Sequence, residues 1–251
     1  MSADLARLRA AIDRIDDQIA GLLVERLGVV RAVGHAKGDR AANRLALRLG
    51  REAQMLRRLL AQTAGGFPSV GVLRIWREII ANSTQIEMPF ACIVDRRGGV
   101  LLHDLARDQV GSATPIEDAD GGAAVLAKLA EGPPRLAVLA APSADDWWPD
   151  LLELPAQVVA LLPLTATEGL PGGYVAAPLV PEPSGEDRSL FAVAGDPGAL
   201  PAGARVLAEA PGRAMVELEG FAVEPPDGRW RRLGTYAAPL RLPAVPDGDL
   251  R

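Results

Sequence analysis

The chain has 251 residues, of which 49% are hydrophobic, with a formal net charge of −5 and one cysteine. This length and apolar content allow one or two domains with a sizeable core. The single thiol, Cys92, excludes an internal disulfide and a multi-cysteine metal site, and the negative charge argues against a nucleic-acid partner. We see no signal peptide and no run of 18 apolar residues, so we expect a cytoplasmic protein without a membrane partner.

Charge and proline content divide the chain near residue 89. Up to Pro89 there are 14 Lys and Arg residues against 9 Asp and Glu, whereas the remainder has 13 against 23. Nineteen of the 21 prolines lie at or beyond Pro115. We therefore predict two domains, a cationic helical domain of residues 1–89 that suits a small anionic ligand and an acidic α/β domain of residues 90–251.

The first predicted element is a long amphipathic helix from Leu5 to Lys37. Its apolar residues recur at alternating steps of three and four, the pattern of one helix face turned to a partner. These residues are Leu5, Leu8, Ile12, Ile15, Ile19 and Leu22. Arg26 and Lys37 interrupt the continuation of this stripe. Because a buried cation without a counter-ion costs several kcal/mol, we expect each to have an anionic partner, either a protein carboxylate or a ligand.

The spacing of the cations indicates where such a ligand would bind. Arg26 and Lys37 share a face about 16 Å apart, at ~1.5 Å per residue, which leaves a gap for a small anion between their side chains. Arg9 lies about 100° around the helix from Arg26 and more than roughly 20 Å away. It cannot serve the same pocket from the same helix, but it could serve a pocket on a second copy. The apolar stripe predicts such a homodimer.

Two shorter helices are predicted to follow a loop at residues 39–45. The first runs from Ala46 to Ala64 and ends before two glycines, and the second runs from Pro68 to Pro89. Proline is favoured in the first turn of a helix, so Pro68 marks the start of the third helix. Proline cannot continue a helix, so Pro89 marks its end.

Two pairs of polar residues stand out on these helices. Arg51 and Glu52 are adjacent on the second helix, and Ser83 and Glu87 are four residues apart on one face of the third. Each pair alone is typical of a solvated helix surface. Together with the cations of the first helix, they indicate a site built from three helices.

Beyond Pro89, short strands alternate with short helices, which is typical of an α/β domain. The predicted strands are Phe90–Val94, Arg135–Leu139, Val158–Leu162, Tyr174–Val180, Leu190–Ala194, Arg205–Glu209, Ala214–Val223 and Trp230–Tyr236. The predicted helices are Val100–Val110, Ala119–Ala130 and Trp147–Leu152. The adjacent tryptophans Trp147 and Trp148 are expected in a core or an interface.

Several motifs of the front half carry a family resemblance. They are "LRAAIDRID" with Arg9, "LLVERLGVVRAVGHAK" with Arg26 and Lys37, "REAQML" with Arg51 and Glu52, and "WREIIANSTQIE" with Ser83 and Glu87. Over about residues 4–88 the sequence resembles the all-helical bacterial chorismate mutases. The resemblance implies an all-α three-helix domain that forms an intertwined dimer, in which each active site borrows an arginine, here Arg9, from the other subunit.

The resemblance also implies a reaction. Such an isomerase converts chorismate to prephenate in the shikimate pathway toward phenylalanine and tyrosine, by a pericyclic step that needs no cofactor and no metal. The substrate is a dianion, so Arg9 of the partner subunit, Arg26 and Arg51 would bind its carboxylates. Lys37 would donate a hydrogen bond to the ether oxygen, where negative charge develops.

The remaining implied roles include one departure from the family. Glu52 would accept a hydrogen bond from the ring hydroxyl, and Ser83 would contact the ring carboxylate. Many bacterial members have a glutamine where this chain has Glu87. A carboxylate cannot donate a hydrogen bond, so Glu87 would serve as a catalytic donor to the ether oxygen only when protonated. The resemblance therefore predicts a mutase whose rate is highest in acid.

The rim of the pocket departs from the family too. Arg48 stands one turn before Glu52, where some members have an acidic residue that helps to bind the hydroxyl. The loop after Lys37 is longer or differently placed than in bacterial members. These differences concern the rim of the predicted pocket more than its floor.

The back half resembles prephenate dehydratases in "DLARDQVGSATPIEDADGGAAVLAKLAEG" and "PSGEDRSLFAV". The product of a mutase is the substrate of such an enzyme. The Thr-Arg-Phe motif that carries dehydration in that family is missing, and "GGYVAAP" stands near its expected place. We interpret this half as a degenerate relative with a structural, ligand-binding or regulatory role.

Two alternatives to the mutase reading stay open. One is a non-catalytic regulatory protein that binds chorismate, prephenate or an aromatic amino acid in a pocket that has lost its chemistry. The other is a bifunctional mutase and dehydratase.

Overall fold

A computed structural model describes residues 2–37, 45, 47–133, 135–142, 147–165, 172–198, 200–222 and 224–243. The chain divides into two compact units, residues 1–43 and residues 44–251. The helices are α1 Ser2–Lys37, α2 Leu49–Gln62, α3 Ser69–Glu87, α4 Gly99–Val110, α5 Gly122–Ala130 and α6 Trp148–Leu151. The strands are β1 Ala91–Asp95, β2 Ile116–Ala119, β3 Arg135–Ala140, β4 Gln157–Leu162, β5 Gly173–Ala177, β6 Asp187–Ala194, β7 Arg205–Ala210, β8 Arg213–Glu219 and β9 Trp230–Ala237.

The predicted fold class, a helical N-terminal region followed by an α/β region, is confirmed. The description as all-helical holds only for the residues before β1. Apart from Leu45, the loop predicted at residues 39–45 lies outside the described residues, as does Ala46, the predicted first residue of the second helix.

The first unit contains α1, which is one continuous helix of 36 residues, as its apolar periodicity predicts. Asp4 lies in the first turn, where a carboxylate is favoured by the helix dipole, and pairs with Arg7 at 2.7 Å. The six stripe residues from Leu5 to Leu22 are each between 48% and 62% exposed. The helix therefore presents an apolar face about five turns long.

The second unit contains one nine-stranded sheet with the strand order β2-β1-β3-β5-β4-β9-β6-β8-β7. Strands β2, β1 and β3 are parallel to one another, and β4 is parallel to β9. All other neighbouring strands are antiparallel. The parallel pairs need crossover connections, which α4 and α5 provide at the β2-β1-β3 end.

Helices cover both faces of the sheet at that end. Successive residues of a strand point to opposite faces, so Cys92 and Val94 pack with α4 residues such as Leu102, whereas Ile93 packs with Val125 of α5. Because β1 is buried on both sides, its sequence is a continuous apolar run rather than an alternating one.

The aromatic pair Trp147 and Trp148 lies in the core, as expected. Both side chains are at most 2% exposed, and they pack in the cluster that contains Ile93. The ring of Trp147 contacts that of Tyr174 on β5, with the ring centroids 5.8 Å apart.

One strand was missed, and several element ends differ from the predictions. Helix α2 begins at Leu49 rather than Ala46, β5 ends at Ala177 rather than Val180, and β8 ends at Glu219 rather than Val223. The short strand β2 was missed, and the helix predicted from Ala119 begins at Gly122. Strand β2 has four residues, includes Glu117 and Asp118, and lies at the sheet edge, so it lacks the apolar alternation of a longer strand. Gly121, with φ +89°, separates the strand from the helix.

Helix α2 is attached to the segment 182–186 of the chain. At Gly50 the helix approaches this segment so closely that a methyl group would collide with the backbone carbonyl oxygen of Glu182. Further along the helix, Gln54 Nε2 donates to Pro183 O at 3.0 Å, and Arg57 Nη1 donates to Ser184 O at 2.8 Å. These bonds satisfy backbone carbonyls that no strand partner reaches.

The helices α2 and α3 pack against each other and against the end of the sheet region. Their shared core contains Leu56, Leu60, Val72 and Leu73, and Leu240 from the residues after β9 completes it. Both helices belong to the same compact unit as the sheet. The boundary predicted at residue 89 stays a prediction.

The chain's single cysteine is predicted to resist thiol reagents in the native state. Cys92 is fully buried in β1, as expected for a core residue, and burial raises the pKa of its thiol to about 12. We expect no reaction with a disulfide reagent at pH 8 and one equivalent of reaction after unfolding in guanidinium. Rapid labelling of folded protein, measured by absorbance, would contradict this placement.

Candidate active site

Three of the seven predicted site residues lie on α1. Arg9 is exposed, Arg26 is half-buried, and Lys37 is the last residue of the helix. Because α1 is continuous through all three positions, the separation of about 16 Å that follows from ~1.5 Å per residue applies between Arg26 and Lys37. These residues are the part of the predicted site that belongs to the first unit.

The other four lie on α2 and α3 in the second unit. On α2, Arg51 is exposed while its neighbour Glu52 is buried. The side chains of adjacent helical residues point about 100° apart, which explains this difference. Only Glu52 faces the helices that pack against α2.

Glu52 is held by a buried ion pair. Arg77 Nη1 on α3 donates to Glu52 Oε2 at 2.6 Å, and the two side chains are 7% and 11% exposed. Arg77 Nη2 also donates to the backbone carbonyl oxygen of Gln109 on α4. One guanidinium thus links three helices and balances the charge of the carboxylate that was predicted to contact the substrate.

Sequence reasoning missed Arg77, although a signal was present. The buried face of α3 includes Leu73, Arg77, Ile80 and Thr84, at steps of four, three and four. Arg77 therefore interrupts an apolar stripe in the same way as Arg26 does on α1. The argument that such a cation needs an anionic partner applied to it equally.

Ser83 and Glu87 lie on the final turns of α3. The Ser83 hydroxyl donates to Ile79 O, one turn earlier, at 2.7 Å. Glu87 is the last residue of the helix and is half-buried. Because α3 is helical through both positions, the two side chains lie one turn apart on the same face, as the spacing predicts.

Arg48, the residue that departs from the family at the pocket rim, binds outside the predicted site. Its Nε lies 3.1 and 3.0 Å from the two carboxylate oxygens of Glu182, and its Nη2 lies 2.9 Å from Oε1. Both side chains are more than a third exposed. This pair adds to the attachment of α2 to segment 182–186.

Within the described ranges, no three His, Cys, Asp or Glu side chains come together in a way that could hold a metal ion. The predicted site residues carry guanidinium, ammonium, carboxyl and hydroxyl groups.

Comparison with known proteins identifies the class of this helical region. Residues 8–88 match the family model described as chorismate mutase type II. All seven predicted site residues, Arg9, Arg26, Lys37, Arg51, Glu52, Ser83 and Glu87, fall inside this segment. The helical region therefore carries a domain of the chorismate mutase type II family.

A curated protein with a similar sequence is also named as a chorismate mutase. The chain is 37% identical over 81 residues to a bifunctional chorismate mutase/prephenate dehydratase of Neisseria gonorrhoeae. The matched stretch covers 32% of this chain and 21% of the relative, so the chain spans about a fifth of the length of the curated relative that it matches. No solved structure matches the chain. Among the described helices, none has the length and apolar character needed to cross a membrane.

Proposed function

We propose that the chain is a cytoplasmic chorismate mutase that rearranges chorismate to prephenate. The observation that supports this proposal is the family match of residues 8–88, within which all seven predicted site residues lie. We assign this activity to the helical domain of residues 1–89, followed by the α/β domain of residues 90–251.

The proposed active form is a homodimer. The stripe on α1 leaves large apolar side chains about half exposed, and burying them against a second copy would remove this surface from water. Arg9 lies near the start of the same helix, more than roughly 20 Å along the axis from Arg26. It would therefore complete the site of the partner subunit rather than its own.

In the proposed mechanism, fixed charges hold the substrate in a reactive conformation. Arg26, Arg51 and the partner subunit's Arg9 bind the two carboxylates of chorismate, which brings the enolpyruvyl arm over the ring. The ammonium group of Lys37 donates to the ether oxygen, on which negative charge grows as the carbon–oxygen bond breaks. Ser83 binds the ring carboxylate.

Glu52 binds the ring hydroxyl in this mechanism, and the buried pair with Arg77 prepares it to do so. Arg77 engages Oε2 of the carboxylate and fixes the side chain before substrate arrives. Because the carboxylate is already desolvated and oriented, less ordering is left for the binding step.

The test is the loss of chorismate absorbance with purified protein, together with identification of prephenate as the product. We expect Lys37→Ala to slow the reaction by at least about 100-fold. This is the usual effect of removing one hydrogen-bond donor to an oxygen that gains negative charge in the transition state. Absence of Lys37-dependent turnover in a folded dimer would overturn the mutase proposal. Saturable chorismate binding without turnover would then favour the non-catalytic regulatory protein.

Glu87 gives the proposed enzyme a distinctive pH dependence. Only the protonated carboxyl group can donate to the ether oxygen, so between about pH 5 and pH 8 we expect the rate to fall as the pH rises. In Glu87→Gln the amide donates at every pH, and the profile should be flat over this range.

A matched control for this variant lies on the same helix. Glu78 accepts hydrogen bonds from Ser112, chiefly through the Ser112 side chain, which lowers the pKa of the Glu78 carboxyl group. Glu78→Gln should therefore keep the acid-shifted profile. Superimposable profiles for the wild type and Glu87→Gln would show that Glu87 is not the donor.

We further propose that the α/β domain has a structural or regulatory role. The relative from Neisseria gonorrhoeae is named as a bifunctional mutase and dehydratase, which makes dehydration the alternative to test. Phenylpyruvate formation from prephenate, faster than the spontaneous acid-driven reaction, would favour the bifunctional alternative.

A further inference from the structure

The turn that leads from α3 into β1 is closed by the side chain of Gln85. Its Nε2 donates to Phe90 O at 2.8 Å, and its Oε1 accepts from Phe90 N at 3.3 Å. The side-chain amide thus pairs with both backbone groups of Phe90, as the backbone of a neighbouring strand would. Phe90 is buried, so its backbone groups need such partners in place of water. The chain closed in this way, residues 85–90, contains Glu87.

A third hydrogen bond of the same amide reaches the loop between α4 and β2. Gln85 Nε2 also donates to Thr114 Oγ1 at 2.9 Å. Thr114 is buried, and its hydroxyl in turn donates to Val110 O at 2.6 Å. The carbonyl oxygen of Thr114 accepts from Arg107 Nη1 on α4, also at 2.6 Å. Gln85 therefore fastens the end of α3 to a loop of the α/β region that is itself held in place.

The local sequence makes the end of α3 depend on such contacts. Asn82, Ser83 and Thr84 are three successive residues that are less favourable in a helix than alanine. The hydroxyls of Ser83 and Thr84 donate to Ile79 O and Ile80 O, and bonds of this type slightly destabilise a helix. The last carbonyl groups of a helix also lack partners within it. Hydrogen bonds from outside the helix are therefore needed to fix its final turn.

Gln85 holds this turn from the side opposite to Glu87. The two residues are two positions apart in a continuous helix, so at ~100° per residue their side chains point about 160° apart. The hydrogen bonds of Gln85 therefore fix the backbone of Glu87 from behind, on the side of the helix that faces the α/β region.

We propose that Gln85 is a positioning residue of the mutase, which acts through Glu87 and does not touch the substrate. This role rests on the proposed function, in which the Glu87 carboxyl group donates to the ether oxygen. Such a donor must be held within a fraction of an ångström of its productive position, and the final residue of a fraying helix is not. Through Thr114, the α/β region contributes to the geometry of the mutase site.

The test compares Gln85→Met with the matched control Gln157→Met. Gln157 Nε2 donates to Leu179 O at 2.6 Å, so the same substitution there removes a hydrogen bond of the same kind from β4. In the full chain we expect kcat for chorismate to fall about tenfold in Gln85→Met and to stay within about twofold of the wild type in Gln157→Met. Thr114→Val removes only one of the three hydrogen bonds of Gln85, so its loss should be about threefold.

A double-mutant cycle separates positioning from a general loss of stability. In the Glu87→Ala background, Gln85→Met should change kcat by less than about twofold, because the group that it positions is absent. A merely structural role would lower the rate equally in both backgrounds.

Hydrogen exchange at the Met88 amide provides a readout that does not need turnover. This amide donates to Thr84 O at 2.7 Å in the last turn of α3. Its exchange, followed by NMR, should be about tenfold or more faster in Gln85→Met and unchanged in Gln157→Met.

The outcomes distinguish this role from the mutase proposal. Equal kcat for Gln85→Met and Gln157→Met, equal losses in the two backgrounds, or unchanged Met88 exchange would each overturn the role of Gln85 alone. Absence of turnover in the wild type would overturn the mutase proposal and this role with it. If Gln85→Met does not fold, the comparison of Thr114→Val with Gln157→Met decides the question.

Discussion

A mixture of Arg9→Ala and Lys37→Ala proteins is expected to recover about a quarter of the wild-type mutase activity, although each variant alone should lose at least about 100-fold. In the proposed dimer, each site combines Lys37 of one subunit with Arg9 of the other. A heterodimer of the two variants therefore has one intact site and one site that lacks both residues. Half the dimers in an equal mixture are heterodimers, and each heterodimer has one intact site out of two. A quarter of all sites are therefore intact.

The matched control is a mixture of Arg26→Ala and Lys37→Ala proteins. These two residues are proposed to serve the same site from the same subunit, so neither site of their heterodimer is intact. Subunits should be exchanged by refolding the proteins together, and chorismate consumption should be compared at equal total protein. Recovery in the Arg26 mixture, or none in the Arg9 mixture, would contradict the donation of Arg9 across the dimer.

Arg77→Ala is expected to lower the free energy of unfolding by about 3–5 kcal/mol. The variant leaves the Glu52 carboxylate buried without its cation, and it removes the donor to the Gln109 carbonyl oxygen. Urea denaturation followed by circular dichroism measures the change, with the m-value as a check on cooperativity.

Arg74→Ala is the control for this prediction, since Arg74 lies on the same helix and is also paired with a carboxylate. That pair with Asp108 is more than half exposed, so its loss should change the free energy of unfolding by less than about 1 kcal/mol. The double variant Glu52→Leu, Arg77→Leu should recover much of the stability, because it removes both buried charges. Equal effects of Arg77→Ala and Arg74→Ala would refute the buried pair.

The fold could be predicted from the sequence where one periodicity repeats for long enough. Helix α1 shows its apolar stripe over about five turns, and β1 and β3 are apolar runs bounded by turns. Strand β2 has four residues, two of them acidic, and is a strand only because β1 lies beside it. Its structure comes from tertiary pairing, which no local pattern of residues reports.

In the candidate site, too, some residues could be predicted from the sequence and others could not. The spacing of Arg26 and Lys37 along one helix indicated a site for a small anion. The roles of the other residues at the substrate came from the resemblance to the mutase family. The position of Arg77 in an apolar stripe indicated that it needs an anionic partner, but not that this partner is Glu52, 25 residues away on a different helix. The Arg48 contact with Glu182 spans 134 residues and depends on the route of the chain around the sheet. Such contacts follow from the packing of elements rather than from their patterns.

The attachment of α2 to segment 182–186 bears on how this gene could be rearranged. The stretch that matches the mutase family ends at residue 88, yet Gly50 and Arg57 within it contact backbone about 130 positions later. A recombination event at residue 88 would separate α2 from residues 182–186, so each of the two surfaces would lose the partner that it packs against. The mutase-like stretch therefore cannot be exchanged independently of the sheet. We expect substitutions in α2 to be accompanied by compensating substitutions in residues 182–186 among descendants of this chain.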